Sequence, residues 1–112
     1  MSEITVQQLQ DIQNSNATVL FHAPWCPHCV NFMPEYQKFC KKNDSCYTYD
    51  MAAKGELLKS VPNLQSTQMA INGFPTVIMF SKEHGGGFVY SGARTEDGLQ
   101  SSLNALQSDG SS

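Results

Sequence analysis

With 112 residues, 40% of them hydrophobic and 10% aromatic, the chain has room for one domain with a modest core and not for two. Ten acidic residues against seven basic ones give a net charge of −3, which removes the basic footprint expected of a nucleic-acid binder. No apolar run approaches the ~18 residues of a membrane span, the stretch from Met1 to Gln13 is too polar for a secretory signal, and Ser108–Ser112 reads as no retrieval address. The expectation is a soluble cytoplasmic protein.

Val6, Leu9 and Ile12 recur at helical spacing behind Thr5, a capping residue, and predict a first helix over 5–14. Asn14-Ser15-Asn16 breaks it. Thr18-Val19-Leu20-Phe21-His22 is nearly continuous in apolar character, as in a strand covered on both faces, and Pro24 ends it. From Cys26 to about Lys42 the set Val30, Met33, Tyr36 (or Phe32), Phe39 and Cys40 follows a helical period. Pro34 inside that helix lacks an N–H and should bend it. Cys46–Asp50, aromatic and β-branched, reads as a second strand.

Residues 52–72 carry weaker signals. Leu57, Leu58 and Val61 predict a turn or two of helix stopped by Pro62, and Thr67–Asn72 a further short one. After Gly73-Phe74-Pro75, Thr76–Phe80 reads as a buried strand. Lys82–Gly87, with three successive glycines, predicts a hairpin turn, and Phe88–Ser91 an antiparallel returning strand. Thr95 should cap a last helix whose first turn holds Glu96 and Asp97, where the helix dipole favours acids. Its apolar stripe is Leu99, Leu103 and Leu106. Residues 108–112 read as a disordered tail behind a single domain over 1–107. Strand, helix and strand followed by a hairpin and a closing helix predict an α/β sandwich, a central mixed β-sheet flanked by helices on both faces.

Without an export signal, a close pair of cysteines points to catalysis or metal binding rather than to a structural bridge. Cys26 and Cys29 stand three positions apart at a helix start. The first sulfur lies beyond the helix end, facing backbone N–H groups that lack partners, and such an environment lowers a thiol pKa. Cys26 is therefore the expected nucleophile, and Cys29, one turn in, the thiol that resolves the mixed disulfide. His28 places a polar ring beside Cys26 that supports the thiolate and makes the disulfide more oxidising. Trp25 is either a core residue or a shelf facing substrate. Cys40 and Cys46 are either small buried residues or a second disulfide across the helix–strand turn.

Two other functions fit some of these residues. A metal module could draw on Cys26, Cys29, His28 and Cys46, but structural zinc needs four ligands and the chain has one C-x-x-C, so no metal is expected. A peptide-binding adaptor would not need both cysteines.

Trp25-Cys26-Pro27-His28-Cys29 resembles the active site of thioredoxin-like proteins. The inner dipeptide Pro27-His28 is similar to that of the DsbA oxidants, whereas Phe21–Cys26 and Gly73-Phe74-Pro75-Thr76 are more similar to protein disulfide isomerase domains. Pro34 stands where thioredoxins carry a helix proline, and Gly92 follows Pro75 at nearly thioredoxin spacing. The resemblance covers about residues 5–107, with separate anchors in the right order. It implies the thioredoxin fold and thiol–disulfide exchange on protein substrates through Cys26 and Cys29, with no organic cofactor. The domain would work as a monomer with a recycling redox partner. His28 tilts the direction toward oxidation or isomerisation; the alternative is a general disulfide reductase. The resemblance also implies a cis Phe74–Pro75 bond facing the cysteines, with Trp25, Phe74 and Pro75 receiving the substrate chain.

The chain departs from the family pattern in three places. Leu20 stands where the family carries a buried acid that relays a proton to the second cysteine, so Cys29 should deliver its proton to water or to His22. The opening edge strand should be reduced or missing. The stretch from Asp50 to Ile71 is about ten residues longer than the family's spacing, which should shape the substrate surface.

Overall fold

The structure, a computed structural model, describes residues 2–107; the expected tail, 108–112, lies outside them. Thr5 starts the first helix through a reciprocal cap. Its hydroxyl accepts the Gln8 N–H at 3.1 Å, and the Gln8 side chain accepts the Thr5 N–H at 2.9 Å. Helix α1 (Val6–Asp11) then tightens into a single 3-10 turn, Ile12–Asn14. Before it, β1 (Ser2–Glu3) is the reduced edge strand expected.

The remaining elements are β2 (Ala17–His22), α2 (Pro27–Lys41), β3 (Cys46–Asp50), α3 (Met51–Lys59), a 3-10 turn (Pro62–Leu64), α4 (Gln65–Ala70), β4 (Thr76–Ser81), β5 (Gly86–Val89) and α5 (Glu96–Gln107). The sheet runs β1-β3-β2-β4-β5, with β2 parallel to β3 and antiparallel to β4. This mixed sheet flanked by helices is the thioredoxin fold. Strand alternation sorts β2 between two cores. Leu20, with Val77 and Met79, faces Phe32, Tyr36 and Phe39 of α2 and Leu99 and Leu103 of α5. Val19 and Phe21 face the other way, with Leu9, Tyr49, Leu58 and Leu64. Burial of β2 on both sides explains its unbroken apolar run.

Several boundaries differ from the sequence reading. Val30 fits the helical period of α2 yet is 59% exposed, and Phe32 takes its place in the core. Helix α2 continues through Pro34, which leaves the Val30 carbonyl without its usual partner and favours an exposed position there. Helix α3 starts at Met51, well before Leu57, because Asp50 caps it: one carboxylate oxygen accepts the Ala52 and Ala53 N–H groups at 2.9 and 3.1 Å. Leu58 is buried and Leu57 is not. Helix α4 ends at Ala70, short of Asn72. In the hairpin, Gly86 and Gly87 pair with Ser81 and Phe80, so the returning strand begins earlier than Phe88 and ends at Val89. The turn itself closes on Gly85, whose φ of +69° suits a residue without a Cβ.

Two polar contacts tie α2 to the start of α5. Glu35 accepts the Glu96 N–H at 2.9 Å, capping α5 from outside, and this bond holds the Glu35 carboxyl below the usual range. Lys42 pairs with Glu96 at 2.5 Å. Inside, the Tyr36 hydroxyl donates to the Tyr47 carbonyl at 2.6 Å, while burial pushes its pKa far up. Cys40 and Cys46 form a disulfide where α2 ends and β3 begins, with Cα atoms 5.6 Å apart, which settles the open alternative for that pair. Among the described residues no helix is long and apolar enough to cross a membrane.

Candidate active site

Strand β2 ends at His22, and Ala23-Pro24-Trp25 lead into α2. The Ala23 carbonyl accepts the Cys26 N–H at 3.1 Å, which turns the chain so that Cys26 is the N-cap of α2 with an extended backbone. Pro27 fills the first helical position, where a missing N–H costs nothing. The next backbone donors, of Cys29 and His28, act on the Cys26 sulfur.

That local geometry separates two chemically identical thiols. The Cys29 N–H is the largest influence holding Cys26 below the ordinary thiol pKa; the Cys29 thiol, the His28 N–H and the Arg94 charge pull the same way, and burial opposes them. Cys29 is pushed up, first by its burial and then by the thiol and charge of Cys26, with the Ala23 backbone and Arg94 opposing. Neither cysteine is disulfide-bonded, and Cys26 is the more open of the two, at 7% exposure against 2%.

The opposite wall is the loop before β4. The Phe74–Pro75 bond is cis, as expected, and the Phe74 carbonyl lies 3.6 Å from the Cys26 sulfur, which donates to it. Thr76 braces this loop by donating its hydroxyl to the Gly73 carbonyl at 2.6 Å. Phe74 also packs with Ala23, Cys26 and Cys29. Trp25 is 68% exposed and meets the Phe74 ring edge-on, with centroids 6.0 Å apart. It is not a core residue. Pro75 lines a small cavity of about 70 Å³ with Phe32, Val77, Tyr90, Gly92 and Arg94.

The sequence-selected residues Trp25, Cys26, Cys29, Phe74 and Pro75 therefore converge on one site. His28 is adjacent and exposed, and it reaches Cys26 through its backbone. Leu20 is fully buried beneath α2, so the position of the family's acid is apolar; His22, half-buried, shares its face of β2. Cys46 is committed to its disulfide, which removes a ligand from the metal reading, and among the described residues no group of three His, Cys, Asp or Glu is placed to hold a metal.

Arg94, whose charge acts on both thiols, is the residue at this site that sequence reasoning missed. A single charge in the loop before α5 has no period or spacing to mark it. Only the resemblance at Gly92 pointed to that loop.

Residues 3–105 match the Thioredoxin family, and the chain belongs to it. It is 35% identical over 83 residues to protein disulfide isomerase-like 1-1 of Arabidopsis thaliana, a match covering 72% of this chain and 16% of that protein. Among solved structures, the first thioredoxin domain of mouse protein disulfide-isomerase A4 aligns with a TM-score of 0.70 at 23% identity, over 95% of this chain and 75% of that one. Chloroplastic thioredoxin z aligns with a TM-score of 0.73 at 18% identity, over 96% and 95%. These structural likenesses establish the fold. The chain spans less than a quarter of the length of the first curated relatives it matches.

Proposed function

We propose that this domain is a protein thiol–disulfide oxidoreductase, with Cys26 as nucleophile and Cys29 as resolving thiol. The observation that carries this reading is the opposite displacement of the two thiols, Cys26 down and Cys29 up, with the Phe74 carbonyl 3.6 Å from the Cys26 sulfur. In the reductive direction the Cys26 thiolate attacks one sulfur of a substrate disulfide. A bond forms between Cys26 and that sulfur, the substrate S–S bond breaks, and the departing thiolate takes a proton. Cys29 then gives up its proton and attacks the Cys26 sulfur. The second substrate thiol leaves, and a Cys26–Cys29 disulfide remains for a recycling partner to reduce. Run backwards, the same steps place a disulfide in the substrate.

Trp25 and Phe74 form the apolar rim on which the substrate chain rests, with Pro75 beside it. The domain works as a monomer. The direction of exchange leans toward oxidation or isomerisation. His28 stands beside the thiolate, Pro27-His28 is similar to the DsbA dipeptide, and relatives carry the name protein disulfide isomerase. A thiolate stabilised by backbone donors favours the reduced form and raises the potential. The expected value is nearer that of protein disulfide isomerase, about −180 mV, than that of thioredoxin, about −270 mV.

Glutathione titration of the Cys26–Cys29 couple, read beside insulin reduction, tests both parts. His28→Pro should make the couple more reducing. A wild-type potential at or below that of thioredoxin would leave a general disulfide reductase, and absence of exchange on any protein disulfide would leave a peptide-binding adaptor.

A further inference from the structure

The loop that carries Arg94 is wound around one side chain. Tyr90 follows β5, and its N–H donates to the Val77 carbonyl at 2.8 Å, fixing the residue to the sheet. Its ring packs against the α2–α5 core and its hydroxyl turns back to donate to the Ala93 carbonyl. Two glycines leave space for that ring. A Cβ at Gly92 would stand 2.7 Å from the Tyr90 hydroxyl and 2.9 Å from two ring carbons. A Cβ at Gly98 would come closer still to the hydroxyl, and within 2.8 Å of the Ala93 carbonyl. The far end of the loop is also fixed, because Thr95 donates its N–H to the Ala93 carbonyl at 2.8 Å and accepts the Gly98 N–H at 3.1 Å. Arg94 lies between these ties, exposed, on the wall of the cavity that Tyr90, Gly92 and Pro75 share.

We propose that Tyr90 is a positioning residue: seated between Gly92 and Gly98 and bonded to Ala93, it fixes the loop so that Arg94 stays beside the Cys26–Cys29 pair. The inference rests on Cys26 as the nucleophile and adds what holds a remote charge near it. Arg94 is the charged side chain that acts on both thiols from outside α2. Of the other elements around Cys26, α2 contributes Cys29 and the exposed His28, β2 ends in the half-buried His22, and segments 23–25 and 73–75 contribute no titratable group. An exposed guanidinium on a loose loop would spend its time in water at varying distance, and its effect would be screened. Held in place, it stabilises the thiolate at no cost in ordering at the moment of attack.

The test follows alkylation of Cys26 by iodoacetamide in the reduced 112-residue chain, with mass spectrometry to assign the labelled cysteine, between about pH 5 and 9. Arg94→Gln should slow Cys26 labelling near pH 6.5 by about twofold to fivefold, the range of an exposed charge pair, and the difference should vanish near 1 M salt. Tyr90→Phe, which keeps the ring and removes the bond to Ala93, should slow labelling by about twofold in the wild-type background and not at all in the Arg94→Gln background. Gly92→Ala, whose added Cβ meets the Tyr90 ring and hydroxyl and so displaces the ring without altering it, should reproduce that loss. Equal slowing by Tyr90→Phe in both backgrounds would make Tyr90 merely structural, and an unchanged rate in Tyr90→Phe and Gly92→Ala would remove it from the site. Either result overturns the proposal. Labelling of Cys29 before Cys26 would instead overturn the role assignment on which the proposal rests.

Discussion

Helix α2 carries a cysteine pair at each end, and the two pairs differ in almost every chemical respect. Cys26 and Cys29 sit at its start as free thiols. Cys40 lies fourteen residues beyond Cys26, about 20 Å along the helix axis, and bridges to Cys46 on the next strand. At the first end the backbone presents N–H groups without helical partners, and these stabilise a thiolate. At the other end the free groups are carbonyls, which repel negative charge, and the sulfurs belong to the apolar cluster of Phe39, Met79 and Leu103. One helix thus holds a reactive pair and a staple. Position relative to the helix termini sets the chemistry, and residue type alone does not.

The comparison breaks most visibly at the reactive end. Cys26→Ser should abolish turnover, because no other thiol faces the helix donors. Cys29→Ser should instead accumulate covalent adducts, since attack proceeds and resolution cannot; intact-mass spectrometry of the protein with a disulfide substrate reads this directly. Cys40→Ala/Cys46→Ala should leave turnover within about twofold, the pair being about 20 Å from the site. Equal loss of activity from both pairs would erase the distinction.

Leu20→Glu tests what the reactive end lacks. Leu20 is fully buried beneath α2, so a carboxylate there loses apolar packing and water together, and unfolding in urea should show a loss of about 3 kcal/mol or more. A buried acid could nonetheless accept the proton of Cys29, whose own burial raises its pKa, and so hasten release of substrate from the mixed disulfide. Stopped-flow measurement of release decides it. A stability loss with no faster release would mean that another group already takes the proton, and His22, on the same face of β2, is the first to replace.

The staple end should yield a smaller effect. The Cys40–Cys46 bridge closes a short loop, and chain entropy assigns such a crosslink about 2 kcal/mol. Thermal unfolding of Cys40→Ala/Cys46→Ala should shift down by about 10 °C. Adding a phosphine reductant to Cys26→Ser/Cys29→Ser should reproduce that shift, and adding it to the quadruple variant should not.

The contrast between the ends also shows what a sequence exposes. The strand–helix–strand unit from Thr18 to Asp50 was legible because burial on both faces makes β2 continuously apolar, and because proline and cysteine punctuate the start of α2. Spacing and a helix start singled out Cys26 and Cys29, and the fold places both as free thiols at the start of α2. The staple was not legible, since two cysteines across a turn read more readily as small buried residues than as a bridge. Val30 and Leu57 obey the helical period yet face solvent, because periodicity identifies a stripe and not which residues at its margin are covered. Asp50 ends a strand and caps a helix at once, so the start of α3 was hidden inside a strand signal. Arg94 comes to the thiols through the closing of the sheet and α5, a tertiary effect that no local pattern records.

The smallest expected effect concerns how the two thiols of the reactive end respond to pH. Cys26 has a folded pKa below its unfolded value, so its contribution to stability is present above the unfolded value and is lost as pH falls through the folded one. Cys29 has a folded pKa above its unfolded value, so its contribution is present below the unfolded value and is lost as pH rises through the folded one. In the reduced wild type the two windows follow one another: stability rises with pH up to the unfolded thiol value, through Cys26, and falls above it, through Cys29. Single variants separate them. Cys29→Ser retains Cys26 and should gain stability relative to Cys26→Ser as pH rises from about 6 to 9, the unfolded thiol titrating near 8.5. The gap should open further above pH 9, where Cys26→Ser begins to lose the contribution of Cys29, whose burial persists without its partner. Thermal melts of both variants under reductant, at matched ionic strength, measure this gap directly. A gap of constant size across the range would mean that the two sulfurs share one environment, and the chemical asymmetry at the start of α2 would be gone.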